Sequence, residues 1–144
     1  MKLSDFELVD RGHEPFDVWE QPQLIGSSIG DFKVQLQVEM NVAPTDQMLT
    51  AAKRLVAKFN VDKAILAQRV HDRYLTLSND VGLKDWLIEC SVPHGLKVND
   101  LSHYLRARTL TVFMDLNMVV FMIPKWDEEH CLLFDLEDDE WIDR

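Results

Sequence analysis

Between Phe32 and Val42 the chain alternates without a break. Phe32, Val34, Leu36, Val38, Met40 and Val42 are apolar, while Lys33, Gln35, Gln37, Glu39 and Asn41 between them are polar. A period of two sends successive side chains to opposite faces, so this stretch is a strand with one buried face and one wet face. A second constraint lies further along. Thr109–Asp115 and Met118–Ile123 are β-rich apolar runs separated by Leu116 and Asn117, the pattern of a hairpin with a two-residue turn. Cys131–Phe134, a third run, follows the polar connector Pro124–His130. Together the three runs predict an antiparallel meander.

The segment between these features reads as helical. Ala43-Pro44-Thr45 closes the strand, because Pro44 biases the residue before it away from helix. Thr45 is placed to cap a helix whose first turn carries Asp46, which suits the positive end of the helix dipole. Met48, Ala52, Leu55, Val56 and Phe59 define its buried stripe, and Asn60 is expected to end it. Asp62 then caps a second helix with Leu66, Val70, Tyr74 and Leu77 on one side. Leu83–Val92 fits either a short helix or a strand, and Pro93-His94-Gly95 breaks it. Asn99 opens a short helix that turns Leu101, Tyr104 and Leu105 inward, with Arg106 and Arg108 complementing its negative pole. The first thirty residues, punctuated by Gly12, Pro15, Pro22, Gly26 and Gly30, read as short strands at a sheet edge. The prediction is a single α+β domain over residues 1–144. It has a mostly antiparallel sheet, with two longer helices and one short helix packed on one face.

Composition narrows function more than fold. At 144 residues, with 47% apolar content, a domain buries roughly 70% of its unfolded surface and needs neither metal nor disulfide to hold it together. Cys90 and Cys131 are expected as reduced, mostly buried thiols. No apolar run approaches the roughly 20 residues of a membrane span. Met1-Lys-Leu-Ser-Asp-Phe-Glu turns acidic at once, unlike a signal peptide, so a cytoplasmic location is expected. The formal charge of −10 repels phosphate backbones and anionic lipid, which argues against nucleic-acid and membrane partners. It favours solubility and rapid association with a basic protein.

Motifs for catalysis are sparse. The five scattered glycines form neither a phosphate loop nor a dinucleotide fingerprint. There is no Gly-x-Ser-x-Gly elbow, no His-Glu-x-x-His pair and no Cys-x-x-Cys site, and no cofactor is expected. His130 and Cys131 are adjacent, and neighbours on a strand face opposite ways, so neither activates the other. Asp10, His13 and Glu14 lie close together but lack a second ligand cluster, and read as a turn beside a solvated face. Arg69 and Arg73 read as solvated or surface-paired, and His71 as a lone imidazole on a helix flank.

Two segments carry the candidate chemistry. Trp126, Asp127, Glu128, Glu129 and His130 combine an indole, three carboxylates and an imidazole at the mouth of a hairpin. They form either an exposed platform that anchors a partner through Trp126, holds a metal ion or holds a proton-transfer pair, or a clasp in which Trp126 caps the core and His130 bonds Asp127 or Glu129. Glu137, Asp138, Asp139 and Glu140 form either a solvated turn before Trp141 docks or an acidic patch for a basic partner.

Pro44-Thr45-x-x-Met48 opening a helix, a second helix ending at Tyr74, the Leu101–Leu105 helix, the β-run and Trp126-Asp-x-Glu-His130 together resemble a known group. It is a set of small, mostly bacterial α+β domains of uncharacterised function, marked by a Trp-Asp-x-Glu-His-Gly segment before the last strand. The resemblance covers Phe32 to Ile142 and departs at Met48, where Gln is frequent, and at Cys131, where Gly is usual. Similar acidic domains occur among immunity proteins that neutralise bacterial toxins. The resemblance therefore implies a protein-binding role, with the acidic residues of both segments meeting a basic toxin or effector and Trp126 and Trp141 as anchors. Two other classes stay open: a small metal-assisted enzyme or ligand-binding domain using Glu129 and His130, and a structural subunit whose alternating strand pairs with a copy of itself.

Overall fold

The structure, a computed structural model, describes residues 1–9 and 14–144. Asp10 and His13 of the weak N-terminal cluster lie outside the described residues. In chain order the elements are β1 (Glu7–Val9), β2 (Phe16–Ile25), β3 (Phe32–Glu39), α1 (Asp46–Asn79), α2 (Lys84–Glu89), β4 (Leu105–Phe113), β5 (Met118–Pro124), β6 (Leu132–Glu137) and β7 (Glu140–Asp143). Short 3-10 turns span Leu3–Asp5 and Val98–Tyr104. All seven strands form one sheet in sequential order, β1 to β7. Every pairing is antiparallel except β3 with β4, where the chain crosses over through α1. A parallel pair needs such a long crossover, and here the helix supplies it. The fold is α+β, with a mostly antiparallel sheet.

The alternation of β3 settles which face is which. Phe32, Val34, Leu36 and Val38 are buried under α1, and Lys33, Gln35, Gln37 and Glu39 point to the opposite side. The strand ends three residues short of the sequence pattern. The chain reverses there, with Asn41 at φ 65° and the Val42 amide donating to the Glu39 carbonyl, and Met40 and Val42 are exposed. The hairpin between β4 and β5 is also longer than expected. Val112 pairs with Met118, the reversal spans residues 114–117, and Leu116 takes the left-handed conformation. Beyond the predicted meander of β4, β5 and β6, the C-terminal segment adds β7 as a further strand.

The break expected at Asn60 is absent, and the two predicted helices are one continuous 34-residue helix. Thr45 caps it as expected, its hydroxyl accepting from the Met48 amide at 3.2 Å. Residues 46–79 contain no Gly or Pro to interrupt it. Its buried stripe runs Met48, Ala52, Leu55, Phe59, Asp62, Leu66, Val70 and Tyr74, at steps of three or four throughout. Asp62 is a polar residue at a core position of that stripe. Its carboxylate accepts Nε1 of Trp141 at 2.9 Å and is 2.9 Å from Nζ of Lys58, so burial leaves it satisfied.

The ambiguous stretch after α1 is a helix, α2, with Leu87 buried. The Val98–Tyr104 turn buries Leu101 and leads directly into β4, so Arg106 and Arg108 are strand residues. Arg108 still reaches back to the Ser102 and Leu105 carbonyls, and its Nε donates to the Asp31 carbonyl at 3.1 Å. Gly30 (φ 112°) makes room for it, because a Cβ there would meet the Arg108 guanidinium at 2.5 Å. No helix among the described residues is long and apolar enough to cross a membrane.

Candidate functional site

The Trp126–His130 connector joins β5 to β6 and folds as a tight clasp. Trp126 is only 3% exposed and packs edge-on against Tyr74, with ring centroids 5.7 Å apart. Its carbonyl accepts Nε1 of Trp86 at 2.6 Å, and the Cys90 thiol lies 3.8 Å from the same oxygen. Asp127 organises the turn that follows: its Oδ1 accepts the His130 amide at 3.2 Å and lies 2.9 Å from the ring Nδ1. The indole is therefore part of the core, and the exposed aromatic platform does not form. His130, Glu128 and Glu129 are exposed, and Glu128 approaches Arg106 at 4.0 Å.

Trp141 is also interior, 7% exposed, with its indole nitrogen committed to Asp62. The acidic run before it is a two-residue hairpin turn. Glu137 pairs with Glu140, and Asp138 and Asp139 sit at φ 49° and 61°. Positive φ at both central residues is the type I′ geometry, which Asp and Asn tolerate better than other side chains. Asp139 bridges Arg54 on α1 at 2.7 Å, and Arg144 donates to Glu137 and, at 2.6 Å, to Asp135. Hydrogen bonding from Arg54, reinforced by its charge, holds the Asp139 carboxyl below the ordinary carboxylate range. Asp138 and Glu140 face water, with no ion pair among the described residues.

The two predicted segments do not form one cluster. They lie at opposite ends of β6, whose six residues hold them about 20 Å apart. Both anchors proposed from sequence are buried, and the accessible groups are the carboxylates and His130.

The remaining sequence candidates have structural partners. Arg69 donates to the Trp141 carbonyl at 2.9 Å, and Arg69 and Arg73 both pair with Asp143, tying α1 to the edge strand β7. His71 places Nε2 2.7 Å from the Leu96 carbonyl. Both cysteines are free and half-buried. Burial pushes the Cys90 thiol up, with Glu89, Glu128 and Asp127 adding to the effect, which keeps it protonated and a poor nucleophile. Among the described residues no group of three or more His, Cys, Asp or Glu is placed to hold a metal ion.

Sequence reasoning missed the face of the sheet opposite α1. By the strand register, Gln35, Thr111 and Val119 form one row there, and Lys33, Thr109, Phe121 and Leu133 the next. They line a groove of about 420 Å³ together with Phe113 and Gln37. A second groove of about 350 Å³ adjoins it, sharing Gln37 and Phe113 and reaching Glu39. In the first groove, which Glu20 and Arg108 also line, Glu20 accepts from Gln35 at 2.6 Å and lies 3.2 Å from Lys33, and the Thr109 and Thr111 hydroxyls are 3.0 Å apart. The floor is thus partly apolar, with the Lys33–Glu20 pair and the carbonyl-bound Arg108 along it.

The chain matches no family model, no curated protein and no solved structure.

Proposed function

We propose that this chain is an acidic, cytoplasmic protein-binding domain of the immunity type, which neutralises a basic toxin or effector domain by binding and occluding it. The observation that carries this reading is the pair of acidic turns at the two ends of β6. Glu128 and Glu129 are exposed at one end, and Asp138 and Glu140 at the other, on a chain of net charge −10. Their separation of about 20 Å is within the width of a standard interface, which buries roughly 800 Å² per partner. Charges placed at a rim act mainly on encounter and on the rejection of wrong partners. Nucleic acid is repelled by the same field.

The test begins with affinity purification of the tagged protein from its native cells. The expected result is one stoichiometric partner, released by salt, that is toxic when expressed alone and harmless when co-expressed with this chain. Converting Glu128, Glu129, Asp138 and Glu140 to Lys should then slow association at least tenfold at low salt and flatten its salt dependence. A partner equally toxic in the presence of this chain would sink the proposal. Association unchanged by the four reversals would remove the acidic turns from the interface.

A further inference from the structure

We infer that the partner docks on the uncovered face of the sheet, over β4, β5 and β6, and that what docks is an amphipathic helix with basic residues flanking its apolar stripe. This rests on the protein-binding reading and specifies its surface and the chemistry of the partner element. Strand β3 alternates, so its outward residues are polar, but β4, β5 and β6 carry apolar side chains on both faces. Inward, Leu110, Val120 and Phe134 are fully buried beneath the helix layer. Outward, Phe113, Phe121 and Leu133 are half-buried, around a groove that no described helix covers. An apolar floor in contact with water is favourable to cover. Lys33 and Gln35 are paired with Glu20, and the Arg108 guanidinium is held by the Asp31, Ser102 and Leu105 carbonyls, so an apolar stripe leaves none of these groups without a hydrogen-bond partner.

The margins select the sign of the partner. Glu39 at the end of β3 and Glu140 on β7 share this face and have no ion pair among the described residues. Strands β3 and β7 are four strand spacings apart, about 19 Å. A helix is about 10–12 Å across with its side chains. Laid along β5, it leaves each margin within reach of a Lys or Arg extended from its flank. A second copy of this chain brings the same net charge of −10 and the same acidic margins, so like charges oppose a face-to-face dimer.

Strand addition is disfavoured at both edges. The Trp141 carbonyl of β7 is taken by Arg69, and Asp143 is tied by Arg69 and Arg73. At the other edge β1 has three residues, and beyond it β2 carries Pro22. Recognition therefore uses the face.

The probe is an amidated 18-residue synthetic helix of Leu and Lys, with Leu on one face and Lys on both flanks. Its affinity is read by fluorescence anisotropy, and its site by amide shifts of the isotopically labelled chain. Expected shifts fall on β4, β5 and β6. Phe121→Lys should weaken binding at least tenfold. Gln37→Arg, at a solvent-facing position that leaves the core untouched, should weaken it about fivefold and serves if Phe121→Lys fails to fold. Unchanged affinity in Gln37→Arg, shifts confined to α1 or α2, or no binding of the peptide would each overturn the inference. So would a dimer of this chain, seen by sedimentation, that Gln37→Arg dissociates. A partner purified from cells and bound equally by wild type and Gln37→Arg would overturn the docking face and leave the protein-binding reading standing. Failure to find any toxic partner would overturn that reading instead.

Discussion

Replacing Asp62 by Ala tests the link that holds the last strand to the helix. Three effects compete. The buried Trp141 indole N–H loses its acceptor at 2.9 Å, and an orphaned buried donor costs about 1–3 kcal/mol. The pair with Lys58, four residues earlier and partly solvent-exposed, is worth only about 0.3–0.5 kcal/mol. Against these, Ala is the better helix former by up to about 0.7 kcal/mol. The first effect outweighs the third, so Asp62→Ala should destabilise the fold by about 1–2.5 kcal/mol. Urea unfolding followed by circular dichroism measures it directly. A double-mutant cycle with Trp141→Phe, which deletes the same N–H, should show a coupling of about 1–2 kcal/mol.

The same substitution has a pH signature. Hydrogen bonds from Lys58 and Trp141 hold the Asp62 carboxyl below its ordinary value. A carboxyl depressed in the folded state contributes stability that is fully present above the unfolded pKa of about 3.9 and is lost as pH falls through the lower folded value. The gap between wild type and Asp62→Ala should therefore be constant near neutrality and shrink in acid below about pH 4. A variant as stable as wild type at pH 7, or a gap that widens in acid, would refute the account of Asp62 as a satisfied core anion.

Two further predictions concern the turn and the thiols. Asp138→Asn with Asp139→Gly installs the residues a type I′ turn prefers and should raise stability by up to about 1 kcal/mol, less the small loss of the exposed Arg54 bridge. A thermal melt checks it, and a lower melting temperature would contradict the turn assignment. Cys90, its thiol pushed up by burial and neighbouring acids, should react with iodoacetamide at pH 7.5 several-fold more slowly than free cysteine. Mass spectrometry of the labelled peptides reads the rate, and labelling as fast as the free amino acid would show that burial does not shield it.

What the sequence made legible is the set of positions where one local pattern dominates. Thr45 followed by Asp46 is a local helix-start signal that the apolar stripe after it completes, and the alternation of β3 follows from its burial on one face. The single long helix was illegible at Asn60 and Asp62 because both residues have strong local alternatives as stop and cap. Trp141, 79 residues further along, joins Lys58 in supplying the donors that let Asp62 stay in the buried stripe. Tertiary contact reinforced that choice, and no window centred on the helix contains the Trp141 donor. The acidic turn had the opposite fate. Its composition invited a functional reading, whereas the positive φ angles of Asp138 and Asp139 give the same residues a backbone role as well.

The open face shows why a pattern can be read and still miss its consequence. The runs around Phe113, Val119, Phe121 and Leu133 are apolar at consecutive positions, which means both faces of those strands ask for cover. A single crossover helix can cover one. The continuous runs of β4, β5 and β6 and the alternation of β3 therefore imply an asymmetric sheet, closed on one side and half-apolar on the other. The acids at its margins then determine what can approach that side. A neutral partner gains only the apolar floor, and an acidic one is repelled before reaching it. A basic amphipathic element gains the floor and the margins together, so the acids at the margins favour such an element over a neutral or acidic one on this face.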